Sequence, residues 1–399
     1  MNRNRILIIS HALELGGAER SLIGMLWALS NLDLQVDLFL LRHEGELLRM
    51  IPPNVSLLPE IPAYTVLSRP MTRIVKEGHI ILAAARLFAK WKAMKYVREH
   101  QLGENGVGLE YSHKYTYRLM PPIQPNVEYD AVISYLTPHY IAGYKVNAKK
   151  KISWIHTDYM SMAVDRDSEY RMWKLFDNIA AVSDSVKDSF SSVFPELEDR
   201  VSVVENILAK DLIFAQANEK AVFPRKDSLK LLSIGRFSYA KNFDNVPYIC
   251  KSIRETGLDV VWYLIGFGPD ETLIRSKIHE AGMEEHVIIL GKKDNPYPYI
   301  KSCDLYVQPS RYEGKCVAVR EAQILGKPVV ITNFTTSASQ LENGVDGVIV
   351  PLDNDGCAQG IVRLLADHEK MERLAYNCGM GEYTNTEEIE KVFRLLTEY

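Results

Sequence analysis

Two glutamates eight positions apart, Glu313 and Glu321, lie in the run Arg311-Tyr-Glu-Gly-Lys-Cys-Val-Ala-Val-Arg-Glu-Ala-Gln323. The sequence predicts a helix opening near Lys315, which sets Glu321 back by ~9 Å along its axis at 1.5 Å per residue. Two carboxylates so spaced can hold two separate ends of one extended ligand. The N–H groups of residues 315 to 318 are then free at the helix start, and with the helix dipole they favour an anion between those ends. Acceptor, anion cradle, acceptor is an order that suits a sugar, a diphosphate and a ribose. Arg236 and Lys241, in Gly235-Arg-Phe-Ser-Tyr-Ala-Lys-Asn242, add two cations in one turn. Each can neutralise charge on a departing diphosphate as a glycosidic C–O bond breaks. The structural alternatives are a helix with one capping and one solvated glutamate, and a solvated basic turn.

Positioning these side chains requires strands. Leu305–Gln308 reads as a strand ending at Pro309-Ser310, and an apolar-periodic helix follows, stopped by Gly326. Leu231–Ile234 is the strand before Arg236. Val260–Ile265 precedes Gly266-Phe-Gly268, Val287–Gly291 precedes Lys292, and Gly347–Pro351 is a further strand. Asp353-Asn-Asp355 fits a metal-binding spacing but lies in a turn remote from the glutamates, and it reads as a helix-capping loop. The first half repeats the scheme. Ile6–Ser10 is a strand, His11–Arg20 a loop carrying Gly16-Gly17, and Ser21–Ser30 a helix, the opening of a nucleotide-type α/β unit. The paired glycines let backbone come close to a ligand, or make a tight turn with none. Strands at 36–41, 130–135, 151–155, 179–182 and 201–206 follow. In a parallel sheet, ligands bind at the carboxyl ends of strands, which is where His156 and Asp158 emerge.

The segment Leu305–Val330 resembles the signature of the retaining glycosyltransferases of family 4, which have the GT-B fold: Glu-x7-Glu after a Pro-Ser strand end, then Glu-Ala and Gly-Lys-Pro-Val-Val. Gly16-Gly-Ala-Glu-Arg20 and the Gly235-Arg…Lys241 pair resemble further elements of that family. The resemblance implies two doubly wound α/β domains facing a cleft. These are an acceptor-side domain at 1–206, a linker at 207–228 and a nucleotide-sugar domain at 229–385, with a last helix at 386–399 returning to the first domain. It implies that Glu313 contacts donor-sugar hydroxyls, Glu321 the ribose, and Arg236 and Lys241 the diphosphate. Gly16, Gly17, Gly266, Lys292, Gly314, Lys315, Cys316 and Val317 line the donor, and His156 is the cleft histidine. It also implies hexose transfer with retention to a hydroxyl of a saccharide or lipid-linked saccharide in bacterial surface-polysaccharide assembly, with no metal or other cofactor. A UDP-sugar is the expected donor. Two competitors are a GT-B sugar-nucleotide epimerase and an inactive carbohydrate-binding scaffold. The sequence departs from the family pattern at Lys315-Cys316-Val317-Ala318 and at Asn333–Gln340. There, Thr335, Thr336 and Ser337 offer hydroxyls near donor-sugar selection.

Composition narrows the classes. With 399 residues there is room for two domains, and 47% hydrophobic with 25% charged residues is a soluble globular profile. A net charge of −4 argues against general nucleic-acid binding. Five unclustered cysteines fit neither a disulfide framework nor a zinc site, and point to a reducing cytoplasm. Met1–Ser10 reads as a first strand and not as a signal peptide. Residues 64–100 are strongly basic, and Ile80, Ala84, Leu87, Phe88, Trp91 and Met94 repeat at helical spacing. That stripe either meets an anionic membrane surface, making the protein peripheral on the inner face of the plasma membrane, or packs into the first domain. Residues 101–128 carry no legible pattern.

Overall fold

Runs of Val, Ile and Leu with no polar face, such as Ile6–Ile9 and Val260–Ile265, are buried on both sides and become parallel strands. The computed structural model describes residues 4–397 apart from 68, 104, 161 and 226. It divides into two units, Met1–Ile207 with Thr386–Tyr399, and Leu208–Asn385.

The first unit holds seven parallel strands: β1 (Asn4–Ser10), β2 (Leu34–Leu40), β3 (Ser56–Leu57), β4 (Tyr129–Ser134), β5 (Ala148–Ile155), β6 (Asn178–Ala181) and β7 (Val201–Val203). Their order is β3-β2-β1-β4-β5-β6-β7. The second unit holds six: β8 (Leu229–Ile234), β9 (Val260–Ile265), β10 (Val287–Gly291), β11 (Leu305–Gln308), β12 (Val329–Thr332) and β13 (Val348–Val350), ordered β10-β9-β8-β11-β12-β13. In each sheet the order reverses beside the first strand of the unit, between β1 and β4 and between β8 and β11. Chain connections run away from those two gaps in opposite directions and leave a crevice at the carboxyl ends of the strands.

Three details bear on the sequence reading. The stretch expected as a linker carries a helix, Lys210–Ala217, whose Ile213 and Ala217 join the second unit's core. The last helix is described over Glu388–Thr397, and its Glu388 carboxylate accepts from the Glu205 N–H at 3.1 Å; residues 398 and 399 lie outside the described residues. The helix Ile80–Glu99 buries Leu82, Ala83, Ala89 and Ala93, the face opposite the expected stripe. Small residues there let the helix Val107–Thr116, in the stretch that had no legible pattern, pack closely through Val107 and Tyr111.

Candidate active site

At the gap between β8 and β11 two loops rise side by side and are tied together through Arg311 and Asn242. The Arg311 N–H donates to the Ala240 carbonyl at 2.8 Å. Its guanidinium donates to the Tyr239 carbonyl at 2.6 Å and to both Asp244 oxygens at 2.9 and 2.7 Å, and it lies over the Tyr239 ring at 4.1 Å. Asn242, in the left-handed region at φ 61, donates from Nδ2 to the Pro309 carbonyl at 2.9 Å. These ties set the Lys241 ammonium against Oε1 of Glu313 as an ion pair whose side chains are 19% and 11% exposed. The same Oε1 accepts from Ser310 Oγ at 2.6 Å, Ser310 Oγ from Gln308 Nε2 at 2.9 Å, and Gln308 Oε1 from the Tyr306 hydroxyl at 2.8 Å. A buried hydrogen-bonded chain thus aims the Glu313 carboxylate. Burial works against the charge on Lys241, but the Glu313 carboxylate outweighs it and raises the pKa, so the ammonium persists at neutral pH. Burial, aided by Glu313, pushes the Cys316 thiol up to about 12 and keeps it protonated.

The following helix runs Val317–Ile324, two residues later than the sequence suggests, because Cys316 is extended and takes the cap position. Glu321 is therefore only ~6 Å along the axis from the helix start. The expected run of free N–H groups at 315 to 318 is also interrupted. The Cys316 N–H donates to Gln340 Oε1 at 2.7 Å, and Gln340 Nε2 returns a bond to the Cys316 carbonyl at 3.3 Å. The ammonium of Lys315 donates to the Ser339 carbonyl at 2.9 Å. Thr336 Oγ1 donates to the Glu313 carbonyl at 2.7 Å and Ser337 Oγ to Asn333 at 3.3 Å, while Thr335 is exposed. Two of the three hydroxyls expected at a sugar thus hold the loop itself. Gly314 is half-buried in the turn and Val317 buried at the helix start. Glu321 is 1% exposed, and its Oε1 accepts from the Tyr297 hydroxyl at 2.8 Å.

Arg236 is exposed, and its guanidinium makes no hydrogen bond or ion pair among the described residues. Gly266 sits beneath this loop: a Cβ there would lie 1.9 Å from the Gly235 carbonyl oxygen. The Lys292 ammonium lies over the Phe267 ring at 4.9 Å. Asp353 caps the helix Asn354–Ala366 by accepting from Gly356 N–H at 2.8 Å. Among the described residues no group of three or more His, Cys, Asp or Glu side chains is arranged to hold a metal ion.

In the first unit the crevice between β1 and β4 collects a second set. Gly16 caps the helix Gly17–Ser30, so Gly17 is its first residue and not part of the loop. The Tyr135 hydroxyl donates to Ser21 Oγ at 2.8 Å, and Ser21 Oγ to Asn206 at 2.7 Å. The ring of His156 lies 4.7 Å from that of Tyr135. Nε2 of His156 is buried and has no hydrogen-bond partner among the described residues. Burial lowers its pKa to about 4, so the imidazole is neutral. His11, His113 and His139 are held neutral by burial as well. Asp158 accepts from the Met160 N–H at 2.9 Å, a local turn.

The family model described as "Glycosyl transferases group 1" matches residues 215–378. Those residues are a group 1 glycosyltransferase domain. An uncharacterized glycosyltransferase of Methanocaldococcus jannaschii is 26% identical over 51% of this chain and 55% of its own length. The UDP-Gal:alpha-D-GlcNAc-diphosphoundecaprenol alpha-1,3-galactosyltransferase of Escherichia coli is 26% identical over 40% of this chain and 42% of its own. The chain thus spans about half the length of the curated relatives it matches. HepE of Anabaena, solved with UDP and glucose, superposes with a TM-score of 0.69 at 16% identity over 100% of both chains. TarM superposes with 0.71 at 11% over 100% of this chain and 99% of its own. These are GT-B glycosyltransferases, and the fold here is GT-B. The group 1 domain contains ten of the expected site residues: Arg236, Lys241, Gly266, Lys292, Glu313, Gly314, Lys315, Cys316, Val317 and Glu321. Gly16, Gly17 and His156 lie in the other unit. Sequence reasoning missed Tyr297, Arg311 and the Tyr306–Gln308–Ser310 chain. Gln308 and Ser310 had a signal, being polar residues at the end of a buried strand. Tyr297 had none.

Proposed function

We propose that the protein is a retaining glycosyltransferase that moves a hexose from a UDP-sugar to a hydroxyl of a saccharide or lipid-linked saccharide during bacterial surface-polysaccharide assembly in the cytoplasm. The observation that carries this reading is the Lys241–Glu313 pair with unpartnered Arg236 in the same loop, at the strand-order reversal of a group 1 domain. A diphosphate drawing on Arg236 and Lys241 shares Lys241 with Glu313 and leaves the carboxylate to accept from sugar hydroxyls. Glu321, held by Tyr297, accepts from the ribose. As the bond from the anomeric carbon to the diphosphate breaks, a bond from the acceptor oxygen forms on the same face, and the acceptor proton passes to the departing phosphate oxygen. The two cations carry the leaving-group charge, so no metal is required. Neutral His156, with Nε2 unpartnered, is suited to accept from a substrate hydroxyl. The E. coli relative's printed name pairs UDP-Gal with a diphosphoundecaprenol acceptor, and HepE was solved with UDP and glucose, which supports the choice of donor and acceptor class.

The test is incubation with UDP-glucose, UDP-galactose and UDP-N-acetylglucosamine, with and without a membrane extract. UDP release that depends on the extract, with product anomeric coupling matching the donor, is expected. Donor epimerised without extract would make the protein an epimerase. A chain that neither turns over nor binds these nucleotides would be a scaffold.

A further inference from the structure

We propose that the outward face of the helix Ile80–Glu99 docks on an anionic phospholipid surface. The residues that a soluble helix would turn inward are turned outward here. Ile80 is 66% exposed, Leu87 57%, Phe88 46%, Trp91 56% and Met94 55%, while the inner face is built of Leu82 and three alanines. At 3.6 residues per turn, Ile80, Ala84, Leu87, Trp91 and Met94 form one line down the helix, with Phe88 beside it. Lys90 stands beyond one edge of that line, and Lys92 and Lys95 beyond the other. Lys92 lies over the rings of Phe88 and Trp91 at 5.7 and 5.6 Å.

An apolar line bearing tryptophan with lysine at both edges is the layout of a helix lying in a bilayer interface: the apolar line enters the acyl boundary while the ammonium groups reach headgroup phosphates. The 4-3-4-3 spacing of the line is also that of a helix seam for a second copy. Charge decides between the two. The outward rows carry Lys90, half-buried Lys92, Lys95 and Arg98 against only Glu99, which lies 3.6 Å from Lys95, so the face keeps a positive excess: a second copy would meet like charge, whereas an anionic surface complements it. Arg86 takes no part, because its guanidinium is turned back to the carbonyls of Val66 and Arg69. Docking of this face stands apart from the transferase reading, since it needs neither donor nor acceptor.

The test uses the full chain with vesicles of phosphatidylcholine alone or with phosphatidylglycerol, in the absence of nucleotide. The parent is expected to sediment with the phosphatidylglycerol vesicles, less so at high salt. Lys90→Glu/Lys92→Glu/Lys95→Glu should weaken that by at least a hundredfold, since each lysine near such a surface contributes roughly fivefold. Leu87→Ser/Trp91→Ser should abolish it. None of the five substituted positions is buried, and far-ultraviolet circular dichroism should report an unchanged fold. A parent that ignores both vesicles, or both variants binding like the parent, overturns the proposal. So does a parent dimer that Leu87→Ser/Trp91→Ser makes monomeric without changing vesicle binding, since a second copy would then cover the face.

Discussion

The two glutamates of the group 1 domain sit in different surroundings, and their substitutions should fail in different assays. Glu321 is buried and held by Tyr297. If it accepts from the ribose, Glu321→Gln removes a charged hydrogen bond worth ~1.5–3 kcal/mol. UDP should then bind roughly ten- to a hundredfold less tightly by calorimetry. Tyr297→Phe should weaken UDP in the same direction but less, because the carboxylate remains and only its orientation loosens. Glu313 is balanced by Lys241 and its carboxylate is aimed by Ser310, and under the transferase reading it accepts from sugar hydroxyls. Glu313→Gln should leave UDP affinity nearly unchanged and lower the turnover of the UDP-sugar. Equal losses of UDP affinity in both glutamate variants would mean that the ligand ends are assigned wrongly. Arg236 and Lys241 supply the charge expected at the diphosphate, so transfer should survive EDTA. Full loss restored by manganese would contradict that assignment. The spacing of Glu313 and Glu321 was readable in the sequence, and so was the pairing of Arg236 with Lys241 in one turn. That Lys241 meets Glu313 was not, because their contact spans 72 positions and depends on two strands becoming neighbours.

At the scale of elements, strands were the legible part. A strand buried on both faces must be apolar throughout, and such runs stand out: β9 and β11 have the bounds read from their residues. Helix starts were less legible, since they depend on which residue turns extended. Cys316 does so because Gln340, at the end of the short helix Ser337–Gln340, takes its N–H. The helix Ile80–Glu99 has an apolar line that either of two surroundings can explain, and only the packing of its small residues says which face is inward. The glycine turn after β9 offers a sharp test of how tightly the loops over the β8–β11 gap are fitted. Alanine at Gly266 would place a Cβ 1.9 Å from the Gly235 carbonyl, so the Arg236 loop must move. Alanine at Gly282, at φ 68 with open space around it, meets no atom. Gly282→Ala should cost only about 1 kcal/mol of left-handed strain and leave UDP binding intact. Gly266→Ala should cost more than ~3 kcal/mol in urea unfolding, strain and clash together, and weaken UDP binding. Similar costs for the two would mean that the Arg236 loop yields easily.

At the scale of the whole molecule, the chain is two units with different ionisable interiors. The second pairs its buried charge at Lys241 and Glu313. The first pairs buried Asp37 with Arg5, but it also buries histidines and Glu169, which form no ion pair among the described residues. Among them, His156 has a pKa of about 4 and Glu169 one of about 7, each moved chiefly by burial. Their effects on stability oppose each other. An unfolded histidine takes up a proton near pH 6.5, whereas folded His156 does so only near 4. Its contribution is therefore complete above pH 6.5 and is lost as pH falls toward 4. Folded Glu169 is protonated below about 7 and its unfolded form only below about 4.5, so acid stabilises the fold across that window. The raw acid profile of the first unit mixes the two and identifies neither. Comparison with His156→Asn separates them, because everything except the imidazole titrates alike in both proteins. Urea unfolding from pH 7 to 4, with the two units read as separate transitions where they part, should show the parent losing stability relative to the variant. The relative loss should be on the order of 2 kcal/mol and confined to the stretch below pH 6.5. The second unit's transition should show no such difference. A constant offset between parent and variant across the whole range would mean that His156 takes up its proton in the folded chain as readily as in the unfolded one. Its Nε2 would then lie open to water, and the neutral, buried acceptor assigned to it in the transfer reaction would not exist.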